Sequence, residues 1–275
     1  PDCDRAGVVV RNTSGEYVAL TGNQTGCLLL EYILSQKKKS GKLPENGFVV
    51  KTIVTSELAR RIADYYGTEL IEVLTGFKFI GEKIKELDET GHKKYIFGFE
   101  ESYGYLAGTF SRDKDAVVAS MLICEMAAFY KSRGMTLYEG LQEIYRKYGY
   151  FVEDIKSFTL EGKEGLEKIS NAMNTLRASG QECFGECGIT AIRDYQLREK
   201  YHIESGMREP LVGLPVSNVL YYELAGGSWF CIRPSGTEPK LKIYFGITES
   251  EMDKAKKKLE DIKNRVVTAL EKLLS

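Results

Sequence analysis

Histidine is almost absent from this chain: among 275 residues there are only His92 and His202, each set among charged side chains. With no histidine base near a serine or cysteine, a nucleophilic hydrolase triad is excluded. No Walker A pattern occurs, which removes P-loop nucleotide chemistry. No uninterrupted apolar run approaches the length of a membrane span, and there is no signal-peptide pattern, so no membrane is expected as partner. Neither sign of charge dominates, with 38 Lys+Arg against 39 Asp+Glu and a formal net charge of −1. That balance speaks against nucleic acid, whose phosphate backbone asks for a basic excess. The six cysteines, at 3, 27, 124, 183, 187 and 231, are spread thinly. They suit reduced thiols in a cytoplasmic protein better than a disulfide framework. Cys183 and Cys187 are close, but without a second cysteine pair or a nearby histidine they make no zinc site. There is no repeat and no low-complexity tract.

What is present describes an ordinary globular protein, 43% hydrophobic and 28% charged, of about two domains. The chain opens on Pro1-Asp2-Cys3-Asp4-Arg5 without a methionine and runs straight into Gly7-Val8-Val9-Val10. A dense acidic motif at the first residue predicts a fragment of a longer protein.

Residues 1–20 read as strand, turn and strand. The apolar run 28–34 predicts a buried helix, followed by a solvated connection through Lys37, Lys38, Lys39 and Lys42. Strands are then expected over 48–54, 70–74 and 95–99, alternating with helices over 56–66, 77–89, 116–130 and from Thr136 to about 149. Ser56 and Gly67 bracket the first of these as caps, and Thr136 with Glu139 forms a capping box. The helix over 116–130 is apolar nearly all round, so it is expected to be deeply buried. Repeated β-then-α units imply a parallel sheet covered on both faces. Beyond about residue 155 a helix is expected over 165–177, then strands over 219–224, 229–232 and 241–245. A capping box at 248–251 opens a final helix with Met252, Ala255, Leu259, Ile262, Val266, Ala269 and Leu273 along its core stripe. The expected fold class is therefore α/β: a three-layer domain with a parallel-type sheet, then an α+β domain whose antiparallel sheet carries helices on one face.

Chemistry concentrates in loops. Arg233-Pro234-Ser235-Gly236-Thr237-Glu238-Pro239, between two strand-like runs, suits a phosphate. Arg233 offers a planar fork of donors, Ser235 and Thr237 offer hydroxyls, and Gly236 allows backbone N–H groups to turn toward one anion. Read alone, the same residues make a polar hairpin loop with a solvated arginine. Three more loops follow the parallel strands at their carboxyl ends, where open α/β sheets bind ligands: Thr55-Ser56, Thr75-Gly76-Phe77-Lys78 and Glu100-Glu101-Ser102-Tyr103-Gly104. Carboxylates and a hydroxyl in the last can accept sugar hydroxyls, or can simply be capping polarity. Lys114 can reach a ligand phosphate or pair with nearby acids. Asp2 and Asp4 alternate so that both carboxylates can point one way, as hard ligands for Mg²⁺, with Arg5 placed to orient a bridging phosphate.

In this order the motifs resemble the α-D-phosphohexomutase superfamily of phosphoglucomutases, phosphomannomutases and phosphopentomutase relatives, and the resemblance spans essentially the whole chain. The opening looks like the Asp-x-Asp-x-Asp-Arg metal loop with its first aspartate missing. Thr75 to Lys78 resembles the loop that recognises sugar orientation, and Gly98 to Gly104 the sugar-hydroxyl loop, with Glu100 and Ser102 at the contacting positions. Arg233 to Thr237 matches the phosphate loop of the family's last domain. The resemblance implies the end of a second domain over 1–20, a third, sugar-binding domain over 21–154 and a fourth, phosphate-binding domain over 155–275. It implies Mg²⁺ at Asp2 and Asp4, catalytic roles for Arg5 and Lys114, a phosphorylated hexose as partner and glucose 1,6-bisphosphate as intermediate. Missing N-terminal domains of the same polypeptide would carry the phosphoserine, so the fragment alone is expected to be inactive. The wording Phe99-Glu100-Glu101-Ser102 points to a phosphoglucomutase first, with the other two activities as alternatives. A phosphosugar-binding module without catalysis is the competing reading of another class.

Overall fold

The computed structural model describes residues 2–236 and 238–275; Thr237, part of the expected phosphate loop, lies outside the described residues, as does Pro1. The chain divides into two compact units, Pro1–Gly149 and Tyr150–Ser275.

The first unit begins with β1 (Val8–Arg11) and β2 (Tyr17–Leu20), an antiparallel pair forming its own sheet. Asn12 closes the turn between them, its side-chain oxygen accepting from the N–H groups of Ser14 and Glu16. Next comes α1 (Gly22–Lys39), far longer than the apolar run predicts, because Thr21 and Gln24 form a capping box well upstream of it. Lys37, Lys38 and Lys39 are its last turn rather than a solvated connection; cations are favoured there by the helix dipole.

Then follow β3 (Gly47–Thr52), α2 (Leu58–Tyr66), β4 (Glu69–Val73), α3 (Phe77–Thr90), β5 (Lys94–Glu100), β6 (Gly104–Ala107), α4 (Ala116–Ser132) and α5 (Leu137–Tyr148). The sheet order is β4-β3-β5-β6, with β3 parallel to both β4 and β5. Every residue of β3 is buried, as a central strand covered on both faces requires. Strand β6 runs antiparallel to β5, so the sheet is mixed and the expected loop 100–104 is a hairpin. Tyr103, at φ +68°, makes that tight reversal. The capping box of α5 and the left-handed Gly67 after α2 stand where expected, while Ser56 acts one residue before the cap, its hydroxyl accepting from Leu58 N–H. Helix α4 is not deeply buried. Ala119, Ile123, Met126 and Tyr130 face the core, while Val117 and Met121 are 75% and 58% exposed. Apolar composition alone hides which face a neighbour covers.

The second unit contains β7 (Tyr150–Thr159), α6 (Gly162–Ser179), β8 (Ile189–Asp194), β9 (Glu199–His202), β10 (Arg208–Pro210), β11 (Leu220–Leu224), β12 (Trp229–Pro234), β13 (Lys240–Glu249) and α7 (Met252–Leu274). Its seven strands lie in the antiparallel order β10-β9-β8-β11-β12-β13-β7. Side chains of α6 and α7 share one core with Leu220, Tyr222, Phe230, Ile232, Leu241, Ile243 and Phe245. Two expectations at the last helix are corrected. Thr248 is a strand residue whose N–H donates to Ser228 Oγ, and Glu251 caps α7 without a side-chain bond, so there is no capping box. The buried stripe ends on Leu270 and Leu274 instead of Ala269 and Leu273, the drift that 3.6 residues per turn imposes on a long helix. Four strands of this unit were not expected: β7, β9 and β10 lie at or beside the sheet edges and are largely half-buried or exposed, so they lack a clean two-residue alternation, while β8 is an inner and mostly buried strand.

One polar group sits wholly inside the first unit. Lys51, on β3, has no exposed side-chain surface and contacts Glu57 at 2.7 Å and Glu72 at 2.8 Å. Arg60 closes the ring from outside, at 3.0 Å from Glu57 and 2.9 Å from Glu72. Burial acts to lower the Lys51 value, but the carboxylates of Glu72 and Glu57 outweigh it and hold the ammonium above the ordinary 10.5. Its contribution is therefore complete below that value and fades only as pH rises through the higher folded one. Lys51→Ala removes the enclosed cation from between the half-buried carboxylates of Glu57 and Glu72. It should lower the stability of this unit by ~3 kcal/mol, seen as a lower urea midpoint at pH 7.

Candidate functional site

The β5–β6 hairpin of the first unit gathers most of the candidate side chains. Arg5 forms an isolated antiparallel bridge with Gly104, and Ala6 N–H donates to Tyr103 O at 3.2 Å. The acidic opening of the chain is thereby laid along the hairpin. Glu100, the last residue of β5, is 4% exposed, and its ion-pair partner among the described residues is Arg5, at 4.0 Å. A buried carboxylate held so loosely keeps acceptor capacity that burial without a donor makes costly. Lys114 reaches into the same place. Its ammonium lies 3.2 Å from Asp4, 2.9 Å from Asp113 and 5.3 Å from the centre of the Phe77 ring. Burial opposes its charge, but hydrogen bonds to Asp113 and Asp4, with the charges of Asp113 and Glu100, raise its pKa above the lysine norm. Both of the alternatives open for Lys114 share one geometry: it pairs with acids beside the buried Glu100.

Space at this point is set by a glycine. A Cβ on Gly104 would come within 2.4 Å of Lys114 Cδ and 2.8 Å of Glu100 Oε1. Ser102 is half-buried in the turn of the hairpin. In the loop before α3, the Thr75 hydroxyl is buried without a hydrogen-bond partner among the described residues. Gly76 caps that helix at φ 123°, a value that glycine adopts freely. Phe77 is 3% exposed and packs with Phe48, Val50 and Val73, while Lys78 is exposed with its ammonium 4.7 Å from the Phe79 ring. Thr55 and Ser56, the remaining strand-end loop, are buried, with Ser56 N–H donating to Asn23 and Thr55 Oγ1 bonded to Thr52 Oγ1.

In the second unit Arg233 is half-buried near the end of β12. The loop after it is closed by Ser235 N–H donating to Lys240 O at 2.8 Å and Glu238 N–H donating to Ser235 Oγ at 3.3 Å. Gly236 is exposed at its tip. These two bonds hold Ser235 in place.

The expected metal ligands do not assemble into a donor set. Asp2 is exposed, Asp4 is engaged by Lys114, and no group of three or more His, Cys, Asp or Glu among the described residues could hold an ion. Two carboxylates, one already paired to an ammonium, do not make a Mg²⁺ site. All six cysteines are free, and no helix among the described residues is long and apolar enough to cross a membrane.

Several positions that shape the site escaped the sequence reading. A Cβ on Gly22 would lie 2.0 Å from Glu101 O, and one on Gly26 2.1 Å from the Phe99 ring. These two glycines, four apart on α1, let the helix press against β5 and its hairpin. Their helical spacing was the available signal. Asp113, a direct partner of Lys114 at 2.9 Å, is one of the nearby acids beside it in the sequence.

Two family models match the chain. One, described as phosphoglucomutase/phosphomannomutase, alpha/beta/alpha domain III, covers residues 21–148, and the other, the C-terminal domain of the same family, covers 197–268. A phosphoglucomutase of Staphylococcus haemolyticus is 36% identical over 266 residues, which is 97% of this chain and 46% of that protein. A phosphoglucomutase of Staphylococcus aureus is 38% identical over 259 residues, 94% of this chain and 46% of that one. The chain thus spans a little under half the length of these relatives. Among solved structures, parafusin, a phosphoglucomutase of Paramecium, superposes with a TM-score of 0.66 at 18% identity, over 99% of this chain and 43% of that one. A phosphomannomutase-like protein of Thermus thermophilus gives 0.54 at 18% identity, over 96% and 44%. These two likenesses are of fold.

Gly104→Ala is expected to push Lys114 off Asp4 and to crowd Glu100. The cost should be about 1–3 kcal/mol in urea unfolding of the first unit. Unaltered stability would mean that the hairpin has slack the geometry does not show.

Proposed function

Because the chain belongs to the phosphoglucomutase/phosphomannomutase family, we propose that it supplies the sugar- and phosphate-recognition part of a phosphoglucomutase interconverting glucose 1-phosphate and glucose 6-phosphate. The observation that carries this is the buried, loosely paired Glu100 carboxylate beside Arg5 and Lys114. It is supported by 36–38% identity to two phosphoglucomutases over nearly all of the chain.

Each residue has a role its chemistry suits. Glu100 and Ser102 receive sugar hydroxyls, and an acceptor kept short of donors in the empty site gains most when a hydroxyl arrives. The orphaned Thr75 hydroxyl gains a partner in the same way, with Gly76, Phe77 and Lys78 shaping the wall around it. Arg5 and Lys114 place positive charge where a phosphoryl group would pass. Arg233, Ser235, Gly236 and Thr237 hold a substrate phosphate. Phosphoryl transfer is mostly positioning and electrostatic stabilisation, so residues of these kinds are sufficient for recognition. The phosphoryl donor, a phosphoserine, and the bisphosphate intermediate glucose 1,6-bisphosphate belong to the reaction of the longer polypeptide. Mg²⁺ is part of that same proposal, but Asp2 and Asp4 alone do not hold it, and no step here depends on it.

In a coupled assay the 275-residue chain should give no glucose 6-phosphate from glucose 1-phosphate. Turnover by this chain would overturn the placement of the donor outside it. In the full-length polypeptide, Arg233→Lys keeps the charge and loses the planar fork. It should lower kcat/KM in both directions by roughly ten- to a hundredfold. Unchanged values would return the loop to the status of an ordinary hairpin.

A further inference from the structure

The second unit holds a cavity of about 420 Å³ at the C-terminal end of α6, bordered by residues of β8, β9 and β11. Its size falls within the range of small-molecule sites. Leu176, Ile192 and Leu220 supply its apolar wall, and all three belong to the core under α6 and α7. Ile232 belongs to the same core, so the adjacent Arg233 projects from the opposite face of the sheet. The cavity and the Arg233 loop are separate places.

A buried hydroxyl is aimed at this cavity. Tyr222 lies directly opposite Ile192 across the ladder and two residues after Leu220, on the face that both share. Its side chain is fully enclosed, with the ring edge-on to Phe184 at 5.1 Å and stacked on Phe230 at 4.5 Å. The hydroxyl has no hydrogen-bond partner among the described residues. Burial, with the charges of Cys183 and Asp194, raises its pKa above the tyrosine norm, and Arg177 opposes the shift. Asp194 and Arg177 both line the cavity. A phenylalanine would fill the same space without the cost of an unpaired buried hydroxyl.

The charges of the lining set the class of ligand. Arg177 meets Asp194 at 3.0 Å, Arg208 is paired with Glu199, and the exposed Glu182 stands at the rim. Three carboxylates therefore face two guanidiniums. Asp194 is already filled by Arg177 and by the N–H groups of Gln196 and Leu197. Ala178, Ser179 and Gly180 bring in the C-terminal end of α6, where the helix dipole favours a cation. No group of three or more His, Cys, Asp or Glu among the described residues could hold a metal ion. We propose that this cavity binds a small organic cation, a primary amine on an apolar body, whose N–H donates to the Tyr222 hydroxyl. The body lies against Leu176, Ile192 and Leu220, and Glu182 attracts the charge from the rim.

Three probes that share one body and differ in the head group test this: phenethylamine, phenethyl alcohol and phenylacetate. Each is titrated calorimetrically into the 275-residue chain and into its Tyr222→Phe and Glu182→Gln variants, and thermal unfolding of each protein is followed without ligand. The amine should bind, the alcohol more weakly, and the carboxylate not at all. Tyr222→Phe should weaken amine binding by roughly tenfold while leaving the ligand-free Tm unchanged or higher, because an unpaired hydroxyl is removed. Glu182→Gln, a surface change, should weaken it by roughly two- to fivefold. No binding of the amine, or equal binding of phenylacetate, would overturn the site as a cation site. Full affinity in Tyr222→Phe, or a fall in its ligand-free Tm, would show that the hydroxyl serves the fold and not a ligand, and would also overturn the proposal.

Discussion

The first unit is organised around a place where a side chain cannot be. Gly104 begins β6 between Lys114 and Glu100, and any Cβ there would collide with both. Its backbone also bridges to Arg5. One bare α-carbon therefore lets three charged side chains from distant parts of the sequence share a small volume. Closely packed interiors transmit such a restriction to their neighbours. The glycines of α1 repeat the device on the other side, where Gly22 meets the hairpin carbonyl of Glu101 and Gly26 meets the Phe99 ring.

Charge burial follows two different rules in this unit. Lys51 is fully enclosed and fully compensated, by Glu57 and Glu72, with Arg60 outside. That is an arrangement for holding β3, β4 and the start of α2 together. Glu100 is nearly as buried, and its ion-pair partner among the described residues is Arg5 at 4.0 Å. The first carboxylates spend their acceptors inside the fold, and Glu100 spends fewer. In the second unit Arg177 is matched by Asp194 at 3.0 Å, while Arg233 lies directly opposite Lys242 across the ladder between β12 and β13.

Much of the fold was legible because its signals are local. The three parallel strands, the capping box at Thr136 and the left-handed Gly67 stand where the pattern puts them. Signals failed where long-range pairing overrode local preference. Thr248 to Glu251 spells a cap, but the ladder between β13 and β7 extends through Glu249 and claims the backbone. Strand β7 itself carries too many polar residues to announce a strand, since an edge needs no buried face on both sides. The apolar composition of helix α4 predicts burial all round, yet Val117 and Met121 stand exposed while Ala119, Ile123, Met126 and Tyr130 are buried.

By itself, the sequence determined the identity of the chemical groups and their order: a carboxylate-rich strand end, an Arg-Pro-Ser-Gly loop and paired aspartates ahead of an arginine. These are covalent facts, and they carried the resemblance to a family. Only the tertiary structure decided which of those groups are spent and which are free. Asp4 looks like a metal ligand in the sequence and is a partner of Lys114 in the fold. Lys242 looks like one lysine among many and becomes the direct neighbour of Arg233. The physical reason is that electrostatic interaction depends on distance and burial, and strand register places residues side by side that the linear order keeps apart.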